Sequence, residues 1–529
     1  MLGIEKIKSR RPIVTVVLIF FCYIYFTSAW SGFRNPNEYS RFYLTRALVD
    51  EGGFAIDNLI AYRNTQDKSY FRGHFYTDKA PGSSFLAAPV YLAFRLLQVF
   101  FGYHPAETTV LYILRSAVIS FPSALFLFFL FNLWGNITPE FSIRRGLLIA
   151  YALGTPAWPY SALFFGHQLA AISLFLSFYV IFDSRDRGGG ARAAFGAGFF
   201  SGLAFFIEYP AVIISFFLFI YAIAVFKNVK SALSFLLGLA IPAGVVFYYH
   251  RQCFGGVLRF PYYFVTDPVC AAEHSRGISG VFLPENMSEF ANQLRALLNL
   301  LVSPFRGIFF YSPFLIFGIA GIFKMIRDPK WKKEGFLFAA IFISYLLFFS
   351  AFVNWEGGWA LGPRHLTPLV PFLATAVVFQ SAKTSASSRR PWIRLLTVLI
   401  IVSIVFTFVG LAVFPHLPVA FKNPLYELSW PFLAAGKFGP TIGEWMGLKG
   451  FSELIPIISA LALLMIFLLG DLSFFAYRYG DRRYIFSATS VLLAAALLYL
   501  GLILSGLKGK EETSSRIEKR ELVESFLRR

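Results

Sequence analysis

The sequence predicts an all-α polytopic membrane protein of about 12–14 transmembrane helices, with a large first outer loop carrying amphipathic juxtamembrane helices. Three observations lead there. Of 529 residues, 57% are hydrophobic and only 15% charged, against roughly 45–50% apolar and about 25% charged in soluble domains. The apolar excess is gathered into uncharged runs such as 13–28, 396–413 and 454–470. Each approaches the ~20 residues that cross a ~30 Å hydrocarbon core as a helix. Finally, 48 Lys and Arg against 29 Asp and Glu give a net charge of +19, as expected where basic cytoplasmic loops orient many spans. These features exclude a soluble enzyme, a nucleic-acid-binding domain and a disordered regulator. They make membrane lipids, not nucleic acid, the expected surroundings.

Lys6, Lys8, Arg10 and Arg11 precede the first apolar run. That run is long and no small-residue cleavage site follows, so it reads as a retained first span at 12–30. Further spans are expected at 83–102, 109–133, 146–163, 165–182, 193–207, 209–226, 231–249, 308–324, 335–353, 365–381, 394–414, 453–475 and 484–506. Basic stretches at the N-terminus and at 183–192, 324–333, 383–394 and 478–483 mark the cytoplasmic side. Residues 31–82, 251–307, 354–364 and 415–452 then form outer loops of one membrane domain, 1–506, followed by a charged tail, 507–529. One conflict remains: simple alternation would put Arg144 and Arg145 outside, so a segment between 83 and 226 is expected to be re-entrant or differently divided. No internal repeat is evident, which weakens an inverted-repeat transporter. Cys22, Cys253 and Cys270 make no metal framework, and spacing leaves open whether the last two pair.

The first outer loop is the richest polar segment. Asn35 or Asn37 can cap a helix, Pro36 suits its first turn, and Gly52–Gly53 ends it. Phe42, Leu44, Ala47 and Leu48 give that helix an apolar side, as for a helix lying on the membrane surface. Glu38 falls in the first turn, where the helix dipole favours a carboxylate, and Arg41 shares its face. Farther on, Asp67 is followed by Asp78-Lys79 at the entrance to the next span, with Pro81-Gly82 turning the chain into it. A dipole-compensating Glu38 and a snorkelling Lys79 are the ordinary structural explanations. A carboxylate and an ammonium at the membrane surface also suit a hydroxyl nucleophile and an anionic lipid headgroup.

This order resembles a family. A first span, a loop opening with an acid before a helix, a Gly-Gly stop and a Tyr76-x-Asp78-Lys79-x-Pro81 entry are similar to the GT-C glycosyltransferases that use polyprenyl-phosphate sugars. The resemblance is particularly to the protein O-mannosyltransferase and aminoarabinose lipid A transferase branch. There the loop reads Asp-Glu, then Gly-Asp-Trp, then Tyr-x-(Asp/Glu)-Lys-Pro-Pro. Here Asn37-Glu38 stands where the acidic pair would be, so the resemblance implies that Glu38, or else Asp67 or Asp78, is the catalytic acid–base residue. It also implies a bacterial inner membrane location with the site facing the periplasm. The donor would be a polyprenyl-phosphate sugar, and the acceptor a lipid such as lipid A, a glycan or a protein hydroxyl.

Other polar residues stand out against apolar surroundings. His167 lies between two apolar runs and reads either as a core hydrogen-bonder or as a donor to sugar or phosphate. Glu208 reads as structural, pairing with Arg115 or Arg95. On the outer side, Arg306 precedes a span, and a loop carries Trp355, Glu356, Trp359, Arg364 and His365. Guanidinium forks grip phosphate bidentately, so Lys79, Arg364, Arg306 and Arg41 are the candidate phosphate ligands. Trp355, Glu356, His365 and His167 are candidate substrate contacts. There is no Asp-x-Asp pair, His-Glu-x-x-His or Walker loop, so neither a metal nor another cofactor is expected. Moving a sugar from a polyprenyl phosphate to a hydroxyl needs one base and cations for the leaving phosphate, and a single displacement inverts the anomeric centre. A transporter or flippase of lipid-linked sugars is the alternative; it predicts ionisable residues at mid-span rather than in outer loops.

Overall fold

Backbone groups in hydrocarbon must bond within their own segment, which leaves helices as the form open to long apolar runs. The computed structural model describes residues 12–27, 30, 32–185, 190–267, 286–384, 386–478 and 514–527, and it bears out an all-α polytopic architecture. In chain order the principal helices are α1 (Ile13–Tyr25), α2 (Pro36–Arg46), α3 (Asp57–Tyr62), α4 (Gly82–Phe101), α5 (Glu107–Trp134), α6 (Phe141–Leu153), α7 (Ala157–Ser161), α8 (His167–Ser184) and α9 (Gly190–Ile207). They continue as α10 (Ala211–Phe226), α11 (Val229–Phe254), α12 (Met287–Val302), α13 (Ile316–Arg327), α14 (Lys332–Ala351), α15 (Arg364–Ala382), α16 (Ala386–Val413), α17 (Ile455–Arg478) and α18 (Ser514–Leu527). Among the described residues nine helices are long and apolar enough to cross a membrane, and α1 and α10 are shorter apolar helices. The expected span 484–506 and Cys270 lie outside the described residues, while Cys253 is a buried free thiol.

Two expected spans are broken. The 146–163 segment is α6 and α7, interrupted at Gly154–Pro156, and 308–324 reaches α13 only after a short turn ending at Ser312-Pro313. Proline cannot donate the helical N–H and so ends the ladder at both places. Close helix contact is set by glycine: a Cβ on Gly198 of α9 would lie 1.9 Å from the Phe235 carbonyl oxygen of α11. Small residues are what allow such approach between membrane helices.

The first outer loop differs from expectation. Instead of lying on the membrane with one polar face in water, α2 is enclosed, with every residue from Asn37 to Thr45 buried. One side is covered by α4. Ser84 Oγ donates to the Arg41 carbonyl (2.8 Å), Tyr91 donates to Asp50 Oδ2 (2.9 Å), and Arg95 Nε lies 2.7 Å from Asp50 Oδ1. Although α4 is apolar and long enough to cross, these bonds lay it alongside α2 and the Ala47–Glu51 turn. The next helix, α5, then opens at Glu107, whose carboxylate receives Arg34 and Arg46, both at 3.0 Å. The loop also holds a hairpin, β1 (Ser69–Phe71) and β2 (His74–Tyr76), turned by Arg72 and Gly73 at φ 50° and 91°. Two successive positive φ angles match the right-handed strand twist.

The charged tail contains an ordered helix. On α18, Arg516 pairs with Glu427 (3.0 Å), Glu524 pairs with Lys437, and Phe526 packs against Phe33 with ring centroids 4.9 Å apart. The tail therefore sits against the segments that follow α1 and α16.

Candidate active site

The site is built from the start of α2. Asn35 caps this helix, its Oδ1 accepting from the N–H groups of Asn37 (2.9 Å) and Glu38 (3.2 Å). Pro36 supplies the first turn without losing a useful donor. The cap fixes Glu38 at 2% exposure, where its Oε1 accepts the Phe164 N–H at 2.6 Å and its Oε2 lies 3.8 Å from His416 Nε2. His416 is in turn held by Asn35 Nδ2, 2.8 Å from its Nδ1. Burial raises the Glu38 pKa above the ordinary carboxylate value, against the opposing pull of the Phe164 N–H and the Arg115 charge. His416 is driven the other way, to about 3, by burial and the Arg364 charge.

One turn after Glu38, Arg41 points at a different acid. Its Nη2 lies 2.7 Å from Glu208 Oε1, its Nε donates to Asn37 Oδ1 (3.2 Å), and its Nη1 donates to the Ala80 carbonyl (3.3 Å). This corrects the expected pairing of Glu208 with Arg115 or Arg95. Arg95 serves Asp50, and Arg115 Nη1 donates to the Ala162 carbonyl at 2.8 Å. Glu208 stands in the break between α9 and α10, ahead of Pro210. Gly166 leaves room for it, since a Cβ there would lie 2.4 Å from Glu208 Oε1. Burial raises the Glu208 pKa although Arg41, Arg364 and Lys79 all lower it.

The Asp78-Lys79 pair is completed by Asp67: Lys79 Nζ is 2.6 Å from Asp78 Oδ2 and 2.9 Å from Asp67 Oδ2. Burial works against the Lys79 ammonium, but the two carboxylates outweigh it and hold its pKa above the ordinary lysine value. Asp78 is raised by burial, with Lys79 opposing. Ser40 Oγ, 2.6 Å from Thr77 Oγ1, joins this corner to α2.

The opposite wall comes from the loop before α15. Gly357 (φ 73°) brings the backbone so near Arg364 that a Cβ would lie 2.8 Å from its Nε. That Nε has no hydrogen-bond partner, and Arg364 forms no ion pair among the described residues; its guanidinium lies 5.7 Å from the Phe165 ring centroid. His365 stacks on Phe349 (4.7 Å, 9°) and meets His167 edge-on (5.6 Å, 83°), and both imidazole Nε2 atoms are buried without a partner. His167 Nδ1 is 3.7 Å from Glu208 Oε1.

Not every candidate faces this cluster. Arg306 is fully buried and donates to the carbonyls of Glu356 (2.7 Å), Gly358 (2.8 Å), Phe305 (3.0 Å) and Leu417 (3.3 Å). Burial lowers its pKa to about 10. Its donors are thus committed to shaping the loops that present Arg364 and His416. Glu356 lends Arg306 its backbone carbonyl, Trp355 packs edge-on against Phe305 (6.0 Å), and Trp359 stacks on Phe33 (6.2 Å). Among the described residues no group of three or more His, Cys, Asp or Glu could hold a metal ion.

Glu38, Arg41, Asp67, Asp78, Lys79, His167, Arg364 and His365 therefore converge from segments far apart in sequence. Sequence reasoning missed Glu208 as a member and His416 altogether. A carboxylate breaking an apolar run beside Pro210 was a signal for the first; a lone histidine in a loop gave none for the second. In comparisons with known proteins, no family model matches the chain and no curated protein matches it.

Proposed function

We propose that the protein is a membrane glycosyltransferase that moves a hexosyl or pentosyl group from a polyprenyl phosphate to a hydroxyl of a lipid, glycan or protein acceptor. The observation carrying this reading is Arg364. A guanidinium without an ion-pair partner among the described residues, beside Arg41, Glu208 and Lys79 whose charges are paired, suits an anionic ligand. In this reading Arg364, helped by Lys79, holds the donor phosphate. Lys79 keeps its proton because Asp67 and Asp78 flank it. Glu38, its pKa raised by burial, takes the acceptor hydroxyl proton. The acceptor oxygen bonds to the anomeric carbon from the face opposite the phosphate, the carbon–oxygen bond to phosphate breaks, and polyprenyl phosphate leaves with the electron pair. Charges fixed in advance at a water-shielded site act on that developing anion without reorganising.

The packing of α4 supports a topology in which it stays on the side of the first outer loop. Arg144 and Arg145 then join the other basic stretches on the cytoplasmic side, as the charge rule prefers. In this reading α1, α5, α6, α8, α9, α10, α11, α13, α14, α15, α16 and α17 supply twelve crossings, and the span expected from sequence at 484–506 is counted as the thirteenth. An odd number returns the tail to the side where α18 meets Phe33. The reading places this side in the periplasm of a bacterial inner membrane.

The test is transfer from radiolabelled polyprenyl-phosphate sugars in membranes bearing wild type, Glu38→Gln or Arg364→Ala. Loss of a general base costs about 10²–10⁴-fold, and each variant is expected to fall in or near that range. Full activity in Glu38→Gln removes Glu38 as the base. If no donor supports transfer by wild type, while lipid-linked sugar crosses the membrane, the transporter reading takes its place.

A further inference from the structure

At the far end of α15 from Arg364, about 28 Å away at 1.5 Å per residue, lies a second polar opening. It has a volume of about 470 Å³ and lies where the ends of α13 and α15 meet α16, lined by Lys324, Gln380, Lys383, Trp392 and Leu395 among others. Two of its lining side chains carry buried polar atoms with no partner. Gln380 is 9% exposed, and its Oε1 accepts no hydrogen bond. Trp392 packs its ring 4.1 Å from that of Phe317, leaving its Nε1–H buried and unmatched. Each such group is unfavourable where it stands unless something binds it.

The charges around the opening are mainly positive. Lys383 Nζ is matched by Asp328 Oδ2 at 2.9 Å, whereas among the described residues Lys324 reaches only the Lys383 carbonyl, at 3.4 Å. An indole N–H can only donate and an ammonium can only donate, so a common partner is an acceptor, and the ammonium favours one bearing negative charge. Gln380 Oε1 asks instead for a donor, such as a hydroxyl. Leu395, half exposed beside them, supplies an apolar wall continuous with the surface of α16.

We propose that this opening binds an anionic phospholipid with a hydroxyl-bearing headgroup. The phosphodiester meets Lys324 and the Trp392 Nε1–H, the headgroup hydroxyl meets Gln380, and the acyl chains run along Leu395. Basic pockets between helices at a membrane boundary are suited to such headgroups. The assignment does not depend on the glycosyltransferase reading.

The experiment is native mass spectrometry of the full chain in detergent. The probes are phosphatidylglycerol, phosphatidylcholine and inorganic phosphate, offered to wild type, Lys324→Gln, Trp392→Phe and the surface control Lys230→Gln. Melting temperatures in detergent establish that each variant is folded. Wild type and Lys230→Gln should retain phosphatidylglycerol in preference to phosphatidylcholine. Lys324→Gln and Trp392→Phe should each retain about fivefold less, as expected for one lost contact to a phosphate. Equal retention of the two lipids, or unchanged retention in both folded variants, overturns the site. Inorganic phosphate binding as tightly as the lipid overturns the lipid assignment in favour of a free-phosphate site.

Discussion

Arg41 and Glu208, 167 positions apart, form a 2.7 Å ion pair that joins the first loop helix to the break between α9 and α10. The pair is shielded from solvent, with side-chain exposures of 2% and 13%. Removing one partner would strand the other charge, which in buried pairs costs about 3–5 kcal/mol.

That gives the first prediction. Arg41→Ala and Glu208→Ala should each destabilise strongly, and the double variant should cost clearly less than the sum of the two. A double-mutant cycle on denaturation in detergent measures the coupling. Additive single costs would mean that the two side chains do not act as a unit.

Lys79 supports a second prediction, on the donor. Lys79→Met should raise the KM for a polyprenyl-phosphate sugar by at least about tenfold, the equivalent of one charge-assisted contact. Asp67→Asn should have the smaller effect, because Asp78 still lies 2.6 Å from Lys79 Nζ. Donor titrations of the two variants give the comparison, and a KM unmoved in Lys79→Met counts against phosphate contact.

His416 predicts a pH dependence. Its folded pKa of about 3 lies below the ordinary 6.5. Between those values the unfolded chain binds a proton that the folded chain does not. Stability from this group is therefore complete above about pH 6.5 and is lost as the pH falls toward 3. Melting temperatures at pH 7 and pH 4.5 should drop more steeply for wild type than for His416→Gln. Parallel drops would show that His416 does not carry the effect.

Arg306 predicts a loss through positioning. A lysine cannot reproduce four carbonyl contacts from one planar fork. Arg306→Lys should lower stability by about 2–4 kcal/mol and reduce transfer, because the Glu356–Gly358 and Leu417 backbones lose their common tie. Chemical denaturation together with the transfer assay checks both. Unchanged stability would exclude the tie as a source of rigidity.

Local signals were readable in the sequence because their physics is local. Asn35 and Pro36 start α2, and Gly52, at φ 64°, closes the turn after it. Lys79 was singled out because it borders an apolar run. Glu208 was given the wrong partner because several arginines compete for one buried acid, and which one reaches it depends on helix packing far from either residue. The enclosure of α2 was hidden for a related reason. Phe42 and Leu44 mark an apolar side, but nothing nearby shows that Ser40 and Thr45 would also be covered. The break before α13 could be anticipated from Pro313, whereas the packing of α4 along α2 could not, because its composition is that of a span.

The contact between Phe33 and Phe526 has a consequence for how the molecule is made. The two rings lie 493 positions apart, one just after α1 and the other on α18. Asn35 likewise waits for His416. Loop closure over such distances is slow, so Phe33 waits without its Phe526 partner until α18 has been made and has docked. A chain lacking α18 would leave the rings of Phe33 and Phe414 without their Phe526 cover, an apolar surface open to chaperones and proteases.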